Sequence, residues 1–276
     1  MLLGIFALIS ALCAVGFSVA AGGLHFLWVA PLTFVVGMVV LVLGSVVYLV
    51  AVCKLVDLDV PQETDDSFYR SVAYAYIDMI STLAQMRVKT RGLEMTPKDG
   101  RFLLVCNHIN DIDPAVLLKY FKKSQLAFIS KQENREMFVV GPVMHKILCQ
   151  PINRENDREA LKTILKCVQI IKEDNASIAV FPEGYTSMDG LLHPFRSGVF
   201  KIAQKAGVPI VVCTLQHTQY VLKNALKLKP TTVELHLVGV IPAEELKGRT
   251  AVDIGDRVHK MMADDLGPDL VLKTED

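Results

Sequence analysis

Formal charge is missing from the start of this chain: no Asp, Glu, Lys or Arg precedes Lys54 in its 276 residues. Also missing is any basic tract interleaved with aromatics, and 29 basic residues balance 29 acidic ones, so nothing points to a nucleic acid partner. The six cysteines (Cys13, Cys53, Cys106, Cys149, Cys167, Cys213) contain no Cys-x-x-Cys pair and no regular spacing, which argues against both a disulfide framework and a zinc site. Scattered in apolar surroundings, they read as reduced, buried thiols, which suits a domain in the cytosol. No internal repeat and no low-complexity stretch interrupts the chain.

Hydrophobicity stands where the charge is missing. The charge-free stretch divides at Gly22-Gly23 into Leu2 to Ala21 and Phe26 to Cys53, each as long as the roughly 20 helical residues needed to cross a hydrocarbon core. A two-helix membrane anchor over residues 1–53 is therefore expected. Ser18-Val19-Ala20 resembles a signal cleavage site, but the basic n-region is absent and a second apolar segment follows at once. A buried hairpin in a soluble protein is the other alternative, although segments this long and this free of polar residues are rare there. Lys54 and Arg70 lie beyond the second segment and the short connection carries no Lys or Arg, which places the large domain on the cytoplasmic side.

Residues 54–87 read as a linker and an amphipathic helix. The linker, Asp57 to Asp66, is acidic and contains proline. The helix is expected over Phe68 to Met86, with Phe68, Val72, Tyr76, Ile80 and Leu83 on one face and Arg70, Ser71, Asp78, Ser81 and Gln85 mostly off it. Such a helix suits a membrane surface or the flank of a core. In residues 88–276 short apolar runs alternate with amphipathic ones. Phe102 to Cys106, Leu126 to Ile129, Ile178 to Phe181, Ile210 to Leu215 and Val233 to Val240 read as strands. Arg158 to Lys172 and Val199 to Ala206 read as helices, the second stopped by Gly207 and Pro209. This alternation predicts an α/β fold, a largely parallel sheet covered by helices.

Two stretches directly follow strands, the place where an open α/β sheet meets its ligands. The first is Asn107-His108-Ile109-Asn110-Asp111-Ile112-Asp113-Pro114. His108 is a candidate general base with Asp113 as its orienting carboxylate. Asp113-Pro114 equally has the form of a helix N-cap followed by proline at the first helical position. The second stretch is Phe181-Pro182-Glu183-Gly184, a turn with a carboxylate at the sheet edge. Cys106 is open to two readings, a nucleophile beside His108 or a buried small hydrophobe. His145, His193 and His217 have no ligand-like spacing, so no metal is implied.

Together these stretches resemble the signatures of the glycerolipid acyltransferase family that includes 1-acylglycerol-3-phosphate acyltransferases. Ser130-Lys131 through Gly141-Pro142 to Pro151-Ile152-Asn153-Arg154 is similar to the family's acceptor-binding block, and Val208-Pro209-Ile210-Val211 to its final motif. The resemblance runs from about Val88 to Leu215. It implies His108 as base and Asp113 as its partner, with Arg154, Glu183 and Gly184 binding the acceptor's phosphate and glycerol and Arg196, in Phe195-Arg196-Ser197-Gly198, adding positive charge. It also implies a lysophospholipid acceptor, lysophosphatidate first, an acyl-CoA or acyl carrier protein donor, direct attack by the acceptor hydroxyl without a covalent intermediate, and no cofactor. Read without the family, Arg154 is equally a solvated residue at a helix start. A lipid-binding protein that keeps the pocket without the chemistry is the rival from another class, and the presence of both His108 and Asp113 weighs against it. One departure stands out. Where the family usually continues Glu-Gly with threonine and then arginine or serine, this chain has Tyr185 and Thr186. Either a phosphate-binding group has been lost there, or Tyr185 simply packs under the loop.

Overall fold

The computed structural model of the chain describes residues 1–21 and 26–272. Helices α1 (Leu2–Ala21) and α2 (Phe26–Lys54) form the apolar start. Gly22-Gly23, the expected dividing point, lies outside the described residues. At 1.5 Å per residue, helices of 20 and 29 residues are about 30 and about 43 Å long, enough by length and composition to cross a membrane. Phe6, Ser10, Ala14 and Ser18 recur every fourth residue as the buried stripe of α1. Gly37 of α2 comes so close that an added Cβ would lie 2.9 Å from the Ser10 hydroxyl. Small residues let the two backbones approach, as in helix pairs within lipid. Most of the remaining apolar surface of both helices is uncovered.

Helix α3 (Ser67–Leu83) is capped by Asp66, whose carboxylate accepts from the amides of Phe68 and Tyr69. It ends earlier than the periodicity suggests, because Gln85 takes a left-handed φ of 50° and Met86 already belongs to a strand. The helix bridges two partners. Tyr69 and Tyr76 donate to the carbonyls of Val52 and Ser45 on α2, while Tyr74 and Ile77 pack on the sheet. Arg70, expected off the apolar face, is buried. It forms an ion pair with Asp65 and donates to the carbonyls of Leu126 and Ile147.

The sheet has seven strands in the order β1 (Met86–Arg91), β7 (Thr231–Ile241), β6 (Ile210–Gln216), β2 (Leu103–Cys106), β5 (Ile178–Val180), β3 (Ala127–Lys131), β4 (Gln150–Ile152). Every neighbouring pair is parallel except β6 with β7, so the expected largely parallel α/β sheet is present with one reversal. Strand β2 is buried along its whole length, as its unbroken apolar run requires. Strand β7 alternates buried with less buried residues over much of its length.

One face of the sheet carries α6 (Asp157–Lys172), α7 (Lys201–Ala206) and α9 (Ala251–Leu266). The other carries α3, α4 (Asp113–Tyr120) and α8 (Val221–Ala225), and α5 (Val140–Lys146) lies against α3. The helix expected from Val199 begins as a 3-10 turn over Ser197–Phe200 and closes on Gly207, whose φ of 71° suits glycine at that cap. This architecture sends the loops after β2, β4 and β5 to one edge of the sheet.

Candidate active site

The loop after β2 is wired around one imidazole. Nδ1 of His108 lies 2.9 Å from Oδ2 of Asp113, and the amides of Ile109 and Asn110 donate to the same oxygen at 2.8 and 2.9 Å. Oδ1 of Asp113 accepts from the hydroxyl of Thr218. A carboxylate accepts, so Nδ1 carries a hydrogen, and in the neutral imidazole Nε2 then presents a lone pair. The Thr186 hydroxyl lies 3.1 Å from that lone pair, and the ring of Phe181 stacks on the imidazole at 4.2 Å. The main chain of His108 is held as firmly: its amide donates to Glu183 Oε1 at 2.7 Å and its carbonyl accepts from the Ser187 amide at 2.7 Å.

The N-cap reading of Asp113 is overturned. Asp113 sits inside the first turn of α4, the cap residue is Ile112, and no side chain caps the helix. The carboxylate turns back onto the preceding loop and is completely buried. Cys106 is equally enclosed, and burial pushes its thiol well above the ordinary range, the property of a small core residue and not of a nucleophile.

A cavity of about 720 Å³ opens over this loop, within the range of small-molecule sites. His108, Asp111, Gly184, Tyr185 and Thr186 line it together with Arg154 and Arg196. Helices α3 and α5 and strand β3 contribute an apolar wall that includes Val72, Ile80 and Val143, and Leu49 of α2 reaches it too. Burial and then the neighbouring Arg196 lower the pKa of Arg154 from its usual value, with Glu133 opposing. Arg154 is half-buried and Arg196 exposed, and two guanidinium charges brought together in this way can hold an anion.

Residues 87–216 match the family model described as Acyltransferase. Those residues are an acyltransferase domain of that family. A chloroplastic 1-acyl-sn-glycerol-3-phosphate acyltransferase of Brassica napus is 35% identical over half of this chain and 40% of its own length. A probable 1-acyl-sn-glycerol-3-phosphate acyltransferase of Mycoplasma pneumoniae is 30% identical over 58% of this chain and 61% of its own. The chain thus spans about half the length of these curated relatives. The fold is shared with the crystal structure of the 1-acyl-sn-glycerophosphate acyltransferase PlsC from Thermotoga maritima, at a TM-score of 0.57 and 21% identity over 75% of this chain and 85% of that one.

Within this acyltransferase domain, Glu183 sits apart from the cavity lining. It is 1% exposed, and its two oxygens accept the amides of His108 and, at 3.0 Å, His193. Burial raises its pKa to about 7, while those two amides pull it down. Its geometry is that of a clamp between two loops. Gly184 has a φ of 85°, and a Cβ there would lie 3.0 Å from Cδ of Arg196. Glycine therefore lets the arginine stem lie across the turn. Tyr185 donates its hydroxyl hydrogen towards Nδ1 of His193 at 2.9 Å, since Nε2 of that ring faces Asp189.

Three supporting residues escaped the sequence reading. Thr218 carries no motif and lies 105 residues beyond Asp113. Asn107 clamps both the amide and the carbonyl of Leu215, tying the end of β2 to β6. Ser187 holds the His108 carbonyl with both its amide and its hydroxyl. Only the proximity of Asn107 and Ser187 to the two motifs marked them out.

Proposed function

We propose that this protein is a membrane-anchored, cytosol-facing acyltransferase. It moves a fatty acyl group from acyl-CoA or an acyl carrier protein to the free hydroxyl of lysophosphatidate, making phosphatidate for phospholipid biosynthesis. The observation that carries this reading is Nε2 of His108, oriented by Asp113 and facing a cavity that also holds Arg154 and Arg196. The acceptor hydroxyl gives its proton to Nε2 as its oxygen bonds to the thioester carbonyl carbon. The resulting tetrahedral centre collapses by breaking the carbon–sulfur bond, and the departing thiolate takes the proton back from Nε2. Asp113 stabilises the imidazolium formed between the two transfers. Arg154 and Arg196 hold the phosphate, and the wall from α3 and α5 takes an acyl chain. Glu183 acts from behind, by fixing the His108 amide, and Gly184, in the cavity wall, leaves room for the Arg196 stem. Helices α1 and α2 keep the cavity beside the bilayer from which the acceptor comes.

The test offers purified protein a panel of lysolipids with both donor types and identifies products by mass spectrometry. Phosphatidate is the expected product, and absence of any acylated lysolipid sinks the reading. A different lysophospholipid acceptor is the second reading, favoured by Tyr185 and Thr186. The first engages His193 and the second His108, and neither supplies the charge that an arginine there would bring. The same panel separates the two.

A further inference from the structure

From Leu222 to Lys229 the chain shows the solvent a surface that serves nothing inside the fold. Leu222, Leu226 and Leu228 are 65%, 80% and 81% exposed. Lys223, Lys227 and Lys229 alternate with them and are exposed as well, and no acidic residue occurs between Thr218 and Thr231. Leu228 closes the turn after α8 with a φ of 54°, at a place that favours glycine. An exposed leucine in that conformation has no packing to compensate it, so its reason lies outside the chain.

Its position says what covers it. The Gln85 side chain and carbonyl, just past the end of α3, bond the Leu228 carbonyl and the Thr231 amide. At that end of α3 Ile80 and Leu83 are each 55% exposed. Helix α3 runs antiparallel to α2, Tyr69 on Val52 and Tyr76 on Ser45, so this end points towards the middle of the hairpin and away from Lys54. The leucine and lysine segment therefore continues the uncovered apolar surface at the end of α3, on the sheet face that α3 covers. On the opposite face of the sheet lies α9.

We propose that residues 222–229 form a second membrane contact, with the leucines entering the interface and the lysines meeting anionic lipid head groups. With the hairpin it makes two points of attachment, which fixes the rotation of the domain over the bilayer. The proposal rests on insertion of the hairpin, and separate probes read the two. In a Cys13→Ala background, which removes the exposed native thiol, an environment-sensitive fluorophore is placed on Leu226→Cys, on Leu32→Cys in α2, or on Val252→Cys in α9. The full chain is then reconstituted in nanodiscs of phosphatidylcholine, with or without phosphatidylglycerol, doped with nitroxide lipid.

The Leu226→Cys probe is expected to be blue-shifted and quenched by the nitroxide, more so with phosphatidylglycerol, and the Val252→Cys probe unaffected. Combining Lys223→Glu, Lys227→Glu and Lys229→Glu returns the quenching to its level in phosphatidylcholine alone. Quenching at Leu32→Cys without quenching at Leu226→Cys overturns the second contact and leaves the hairpin standing, whereas loss of both overturns the two together. A Leu226→Cys probe that is shielded but not quenched means that protein covers the segment, and overturns the proposal too. Equal quenching in both lipids removes the role given to the lysines.

Discussion

The loops after β2 and β5 each bring one buried carboxylate to the same site, and the two are used differently. Asp113 collects four donors, one of which is the imidazole that faces the cavity. Glu183 collects two backbone amides and no side-chain donor. One carboxylate orients the imidazole proposed as the base, and the other sets where the main chain runs. Removing the first should damage chemistry with little change in fold, whereas removing the second should show first in stability.

The largest effect that contrast predicts is on His108 itself. His108→Ala is expected to lower kcat by at least about a hundredfold and up to about 10⁴-fold, the range for a positioned base, with an unchanged circular dichroism spectrum. Asp113→Asn comes next, at about a thousandfold in kcat. The amide cannot accept all the donors that face it, and the ring loses the partner that fixes its tautomer. Full activity in that variant would erase the distinction between the two loops.

Glu183 sharpens the contrast through pH. Its carboxyl group titrates near 7 in the fold against an ordinary 4.5, so folding takes up a proton between those values. Stability should therefore fall as pH rises from about 4.5 to about 7, by about 3 kcal/mol in all, and stay level above that. Denaturation in mild detergent across that window measures it. Glu183→Gln should flatten the slope, and parallel curves for the two proteins would show that the carboxyl group is not the source. Smallest of all is Thr186→Val. Its hydroxyl occupies the Nε2 lone pair that an acceptor must reach, so its loss should lower the acceptor KM by about fivefold, the worth of one hydrogen bond near 1 kcal/mol, with kcat nearly unchanged. A higher KM in that variant would make Thr186 part of the acceptor site.

What was legible in the sequence follows from how local each signal is. Buried central strands such as Leu103–Cys106 and Ile210–Gln216 announce themselves as apolar runs. Strand β1, Met-Arg-Val-Lys-Thr-Arg, does not. It is an edge strand, mostly exposed, and among the described residues its strand neighbour is β7, far along the chain. Strand β4 has three residues, too few for any period to show. His108 and Asp113 are close in sequence and were found together. Whether Asp113 capped α4 could not be read, because the answer depends on Thr218 and on the turn of one side chain. Glu183 was visible as a motif, but its direction was not: a carboxylate after a strand reads as ligand-facing until the two amides it receives are seen.

The bond from Thr218 to Asp113 also sets an order in time. A ribosome adding about 5–20 residues per second needs about 5–20 s to cover the 105 residues between them. The apolar hairpin leaves the ribosome before any of this, and the strands flanking β2 come later than β2 itself. The hairpin is thus complete while His108 still lacks its carboxylate's last donor. Assembly of the site is a late event in the biography of each molecule, after the hairpin proposed to anchor it has already been made.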